Sequence, residues 1–287
     1  MPTRSDPSLR LQILGPLRVW RGHDEIGAGP RQQAHLLTLL AARQGQPTGV
    51  DELVDLLWGE HAPASARNVL HKYVGSLRRL LEPSLPPRRT GSYLCPCGNG
   101  YLFRAGGAVL DVARFDELTR DAAAALARDE PRAALDRQVE ALGLWAGPAG
   151  AGLSQEPAMA PVFARLNDSF LDTCVSAADL AVAHGMAARV LPPLHLATSM
   201  APFHEPVHAS LMVALAAAGR HADALAVYTR VRDRLDGDLG IDPGPALRAA
   251  QRRVLEQTVG RPVRPAACRG ERYVGRTHRT IARRHHG

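Results

Sequence analysis

Residues 9–14 (LRLQIL) alternate apolar and polar positions, the period of a half-buried strand. Gly15-Pro16 breaks the alternation, residues 17–20 resume it, and residues 22–29 are rich in turn formers. This pattern predicts a small antiparallel sheet. Pro30 then opens a helix that places Leu36, Leu37 and Leu40 on one face, with Gly45 beyond its end. Thr48-Gly-Val-Asp51 predicts a capping box with an aspartate in the usual Glu place. The helix that follows buries Val50, Leu53, Val54 and Leu57 and stops at Gly59.

A third helix is predicted over residues 64–81. Leu70, Tyr73, Val74, Leu77, Leu80 and Leu81 form its inner stripe. The remaining positions include Arg67, Asn68, His71, Lys72, Gly75, Arg78 and Arg79, with no acid before Glu82. A solvated helix normally mixes signs to form i,i+4 pairs, and this one brings no negative partner of its own. Prolines 83, 86 and 87 end it, Arg88 and Arg89 follow, and residues 93–95 and 101–103 flank residues 96–100 as a hairpin with a Gly-rich tip. Strands, three helices and a hairpin make a winged helix-turn-helix. Its third helix can enter the major groove, which is ~12 Å wide, while the hairpin leans on the backbone.

Beyond residue 107 the pattern becomes purely helical. Helices are predicted at residues 112–128 and 131–145, then as pairs at 165–184 with 186–199 and 207–218 with 221–236, and a last one at 244–258. The later pairs superpose at an offset of 34 residues: Gly185 on Gly219, Val190 on Ala224, Leu194 on Tyr228, Ala197 on Val231. That period, with Gly between paired helices, is the tetratricopeptide (TPR) signature; an unrelated helical bundle is the alternative. Residues 129–135 (DEPRAAL) read as the turn of a third, degenerate pair, and Asp111 as an N-cap. The fold class is therefore mainly α: a winged helix-turn-helix over residues 1–107, an all-α TPR-like domain over 108–258, and a tail over 259–287.

Charge sharpens that division. Residues 1–107 hold 13 Lys and Arg against 8 Asp and Glu; residues 108–258 hold 14 against 19; residues 259–287 hold 8 against 1. A basic N-terminal block can meet a polyanion, and the acidic middle would be repelled by one. The tail, Arg-rich and nearly devoid of apolar residues, is expected to be disordered, either simply solvated or adding non-specific attraction to nucleic acid. Aromatics make up only 5% of the 287 residues, so the cores are built from Ala, Leu and Val, which suits helices.

Other chemistries find little support. There is no apolar run of membrane-spanning length and no signal-peptide pattern, so a cytoplasmic, nucleoid-associated protein is expected. No G-x-x-x-x-G-K precedes Lys72, and neither G-x-S-x-G nor H-E-x-x-H occurs; no enzyme activity and no cofactor are expected. Cys95-Pro-Cys97 with His61 or His71 is too sparse for a structural zinc site, which usually needs two C-x₂₋₄-C pairs, so no metal is expected. No room remains in residues 1–107 for a receiver domain.

The order of parts resembles the Streptomyces antibiotic regulatory protein (SARP) family. The stretches that carry the resemblance are LQILGPL at residues 11–17, GPRQ at 29–32, VDELVDLLWG at 50–59, ASARNVLHKYVGSLRRLL at 64–81, GYL at 100–102 and LDGDLGIDP at 235–243. Gly75-Ser76 stands where many members have Ser-Arg, and Cys95-Pro-Cys97 is outside the family pattern. The resemblance implies an OmpR-type winged helix joined to a bacterial transcriptional activation domain. It further implies an activator of a secondary-metabolite gene cluster that binds double-stranded promoter DNA at direct repeats and engages RNA polymerase holoenzyme. A homo-oligomer on DNA would follow from tandem binding on those repeats, through head-to-tail contacts, although the sequence shows no long apolar seam. A protein-interaction scaffold with weak DNA binding, or a repressor, are the alternatives. The DNA-contact set is Arg67, Asn68, His71 and Lys72 toward base edges, Gly75 for close backbone approach, Arg78 and Arg79 as phosphate clamps, and Arg88, Arg89 and Asn99 on the wing.

Overall fold

The structure, a computed structural model, describes residues 8–86, 89–152 and 159–256. The tail assigned to residues 259–287 therefore lies outside the described residues, as does Arg88. Strands β1 (Leu9–Gln12), β2 (Arg18–Arg21) and β3 (Asp24–Ile26) form an antiparallel sheet in that order, with Leu11 opposite Val19. Leu9, Leu11 and Val19 point into the core, while Arg10 lies over the Trp20 ring at 4.4 Å. Helices α1 (Arg31–Ala42), α2 (Val50–Trp58) and α3 (Ala66–Leu81) follow, and β5 (Leu94–Cys97) and β6 (Gly100–Phe103) make the wing.

One strand was not legible. Thr48–Gly49 is β4, which pairs with β6 and gives a second sheet of order β4-β6-β5. Thr48 therefore forms no capping box: Gly49 is the N-cap of α2, no side chain caps it, and the Thr48 hydroxyl is buried without a partner. The pairing explains a glycine in GYL. A Cβ on Gly100 would come within 2.0 Å of the Thr48 carbonyl oxygen, so only glycine lets the strands close. The hairpin tip is also shorter than expected, because β5 runs through Pro96 to Cys97.

The second half stacks α4 (Asp111–Ala127), α5 (Pro131–Leu142), α6 (Ala160–Ala183), α7 (Leu191–Met200), α8 (Glu205–Ala217), α9 (His221–Arg234) and α10 (Pro245–Leu255). The 34-residue repeat appears as repeated backbone chemistry. Gly185 (φ 71°) donates to the Val182 carbonyl and Met186 to Ala181; 34 residues on, Gly219 (φ 81°) donates to Ala216 and Arg220 to Leu215. These bonds are a Schellman motif, which ends a helix through a left-handed residue. The same motif closes α4, where Asp129 donates to Leu126 and Glu130 to Ala125. There the left-handed position is Asp129, at φ 59° and the only non-glycine with positive φ among the described residues. Asp129→Gly is expected to stabilise the chain by about 0.5–1 kcal/mol, and Gly219→Ala to destabilise it by about 1 kcal/mol. Denaturant unfolding of both variants checks this; equal midpoints would contradict the shared turn.

The division at residue 107 follows the chain but not the core. Leu11 N–H donates to the Val109 carbonyl, and β1 bridges Leu110. The turn after β1 threads into the helical half: Ala146, Gly150 and Ala151 donate to the carbonyls of Leu14, Ile13 and Gly15. Ile13 and Leu14 are fully buried. Asp111 is the first residue of α4, with Leu110 as N-cap and no side-chain cap, so it is not the predicted N-cap. Its carboxylate instead accepts the N–H groups of Ile13 and Leu14, at 2.8 Å each. Behind this junction, Trp145 stacks on Phe170 at 4.5 Å and meets Phe115 edge-on at 5.5 Å. Together these contacts fix the winged helix against the repeats.

Candidate nucleic-acid interface

Helix α3 is held from three sides. Leu70, Val74, Leu77 and Leu81 are buried against α1 and α2. Trp58 stacks on Tyr73 at 6.4 Å, and the Tyr73 hydroxyl donates to the Gln32 side chain. At its C-terminal end the Glu82 carboxylate accepts the backbone N–H and hydroxyl of Ser92, tying the helix exit to the wing. A helix pinned this way presents a fixed outer face.

On that face Asn68, Lys72 and Arg79 are exposed, and none of them pairs with a carboxylate among the described residues. Their spacing, four and then seven residues, keeps them on one strip that runs ~16 Å along the axis. Gly75 lies between them, and a Cβ there would meet nothing within 4 Å. No contact inside the protein therefore requires a glycine at that position.

Three of the sequence-predicted residues are differently employed. Arg67 is exposed but carries a 2.6 Å ion pair with Asp51, so the basic face of α3 beside that strip is not wholly unopposed. The acid comes from the first turn of α2, which packs beside the start of α3 and is invisible to spacing along α3 itself. The pair is solvent-exposed and worth under ~1 kcal/mol, weak enough to exchange for a phosphate. His71 remains exposed, with its Nδ1 2.7 Å from the Tyr101 hydroxyl and the two rings edge to face at 6.1 Å. Tyr101, half-buried on β6, thus orients a base-reading candidate; burial pushes its pKa up, and the nearby Arg78 pulls it down.

Arg78 is a correction. It does not stand outward as a phosphate clamp but turns into the wing, where its Nε donates to the Leu94 carbonyl at 2.9 Å. Its guanidinium lies 5.9 Å from the Tyr101 ring centroid, and Nη2 is buried without a partner. The residue braces α3 against the edge strand β5. Arg78→Ala is expected to cost about 1–3 kcal/mol of stability while leaving the salt dependence of any DNA binding unchanged. Urea unfolding and a salt titration separate the two roles; a slope one unit shallower at unaltered stability would restore the clamp.

Of the wing candidates, Arg89 and the Asn99 side chain are exposed. The Asn99 carbonyl accepts the Val50 N–H, so the wing tip is anchored to the start of α2. Among the described residues no group of three or more His, Cys, Asp or Glu is placed to hold a metal ion, and no helix is long and apolar enough to cross a membrane.

Comparison with known proteins places this architecture. The bacterial transcriptional activator domain family matches residues 110–255, and the C-terminal domain family of transcriptional regulatory proteins matches residues 26–93. Regulatory protein AfsR of Streptomyces coelicolor is 35% identical over 87% of this chain, which spans only 24% of AfsR. Regulatory protein DnrI of Streptomyces peucetius is 30% identical over 88% of this chain and 94% of its own length. A solved structure of Mycobacterium tuberculosis EmbR, in complex with a low-affinity phosphopeptide, superposes with a TM-score of 0.68 at 32% identity, covering 87% of this chain and 65% of that one. In both sequence and architecture, the chain belongs to the Streptomyces antibiotic regulatory protein family of transcriptional activators.

Proposed function

We propose that this activator binds double-stranded promoter DNA at direct repeats by laying α3 in the major groove and the wing on the adjacent sugar–phosphate backbone. The single observation that carries this reading is the rigid strip of Asn68, Lys72 and Arg79, unopposed by carboxylates among the described residues. Asn68 suits adenine through its amide, and Lys72 suits guanine or phosphate. Arg67, released from Asp51, joins them, and His71 is set in place by Tyr101. Arg79, Arg89 and Asn99 are the backbone contacts. Gly75 brings the helix axis close to the groove floor.

Residues 1–107 carry DNA recognition and residues 108–258 carry activation, by engaging RNA polymerase holoenzyme in the cytoplasm. The acidic balance of the helical half keeps it off the duplex. Copies on adjacent repeats stand head to tail. The regulated genes belong to a secondary-metabolite cluster, in keeping with the family to which the chain belongs.

Footprinting with the full chain on the promoters beside its own gene tests the reading. Protection of direct repeats is expected, with log K falling by about 0.9 per phosphate neutralised as log salt rises. Gly75→Arg tests the close approach: the helix should gain about 1 kcal/mol of stability and lose DNA affinity. A Gly75→Arg chain that binds as before would remove that part of the reading.

A further inference from the structure

We propose that the cleft between α7, α8 and α9 binds a small organic anion, a carboxylate or phosphate monoester carried on an apolar body. The cleft has a volume of about 270 Å³, and His195, His208, Leu211, Val227, Arg230 and Arg234 are among its lining. That volume suits a molecule of roughly a dozen heavy atoms. Leu211, Val227 and Val231 give it an apolar floor; the side chains of His195, Arg230 and Arg234 are exposed around it.

The charge at this mouth is unusual for its surroundings. Residues 108–258 carry more acids than bases, and other arginines on and beside α9 use them: Arg220 pairs with Asp223, and Arg232 with Asp233. Arg230 and Arg234, one turn apart on the same helix, have no carboxylate partner among the described residues. Two guanidiniums at i,i+4 repel each other, and a bound anion relieves the repulsion while accepting charge-assisted hydrogen bonds.

His208, only 4% exposed, belongs to the lining as well. Its Nε2–H donates to the Pro202 carbonyl at 3.1 Å, which leaves Nδ1 as a bare acceptor. Nδ1 is buried and has no hydrogen-bond partner. Burial pushes the histidine pKa down, against the upward pull of the hydrogen bond to Pro202, and nearby Arg234 adds to the downward shift. The site thus asks for an anion on an apolar body. It joins α7 of one repeat to α9 of the next, so an occupant clamps neighbouring repeats together.

Calorimetric titration of the full chain with phenyl phosphate tests the proposal. Saturable binding at one site per chain is expected. Arg230→Gln/Arg234→Gln should weaken it about thirtyfold, each single variant less, with the melting curve retained because both side chains are exposed. Inorganic phosphate, lacking the apolar body, should bind about tenfold more weakly, and benzyl alcohol should not bind measurably. Promoter DNA affinity of the double variant should be unchanged, so this test fails or succeeds apart from the DNA-binding reading. Equal affinity in wild type and double variant, or no saturable binding up to ~10 mM, overturns the site. Inorganic phosphate binding as tightly as phenyl phosphate overturns the apolar component.

Discussion

Lys72→Glu is expected to lower promoter affinity about a hundredfold or more at moderate salt without changing the melting curve. Lys72 is exposed and unpaired among the described residues, so its loss removes no internal contact, and such surface changes stay within about 0.5 kcal/mol. In the complex the change acts twice. It deletes a contact to base edge or phosphate worth about 1–3 kcal/mol, and it sets a carboxylate against a polyanion. Arg79→Glu follows the same logic at the other end of the strip. Arg67→Ala should be milder, because Arg67 must first leave Asp51 to reach DNA. The converse is more telling: Asp51→Asn releases Arg67 and should tighten binding two- to threefold, in line with an exposed ion pair worth under ~1 kcal/mol. Fluorescence anisotropy with the full chain reads all four. If Lys72→Glu binds as wild type does, α3 is not the recognition helix; if Asp51→Asn weakens binding, the ion pair is part of the site rather than a competitor.

These residues also show where a sequence stops informing. The inner stripe of α3 and its basic remainder were legible because a helix repeats its faces every few residues, and the 34-residue period was legible because Gly185 and Gly219 occupy the same left-handed position. What escaped came from other parts of the chain. Asp51 opposes Arg67 from the preceding helix. Thr48 looks like a cap locally, yet it is claimed by a strand 53 residues later, at Tyr101. Arg78 falls on the outward half of a helical wheel, but the carbonyl of Leu94 draws it inward. Each is a long-range partnership that no local window contains. Local chemistry gave the elements and the polarity of α3; the positioning of its individual side chains belongs to the tertiary fold.

Asp111 carries the largest such partnership, and its removal is expected to have the largest effect on stability. Its Oδ2 accepts from Ile13 and Leu14, and its Oδ1 accepts its neighbour Val112, all at 2.8 Å. Asp111→Ala leaves the first two donors unpaired in a segment whose side chains are wholly buried. At about 1–3 kcal/mol per orphaned donor, the loss is about 3–5 kcal/mol, or roughly 10 °C in melting temperature for a chain of this size. Asp111→Asn keeps an acceptor for Ile13 and Leu14 and should cost less. The two variants also differ in pH dependence. Burial pushes the Asp111 carboxyl up to about 6 from the usual 3.8, against the downward pull of its backbone donors. A folded-state pKa above the unfolded one means the folded protein binds the extra proton. The linked stabilisation is therefore complete below about pH 4 and is lost as pH rises through about 6. Relative to Asp111→Asn, wild-type unfolding free energy should fall by about 3 kcal/mol between those limits and then level off. A difference that grows with pH would mean the backbone donors, not burial, rule the carboxyl. Because Asp111 and the N–H groups of Ala146, Gly150 and Ala151 all serve the turn after β1, a fragment of residues 1–107 should lack cooperative unfolding. A sharp, native-like melt from that fragment would show that the winged helix owes the repeats nothing.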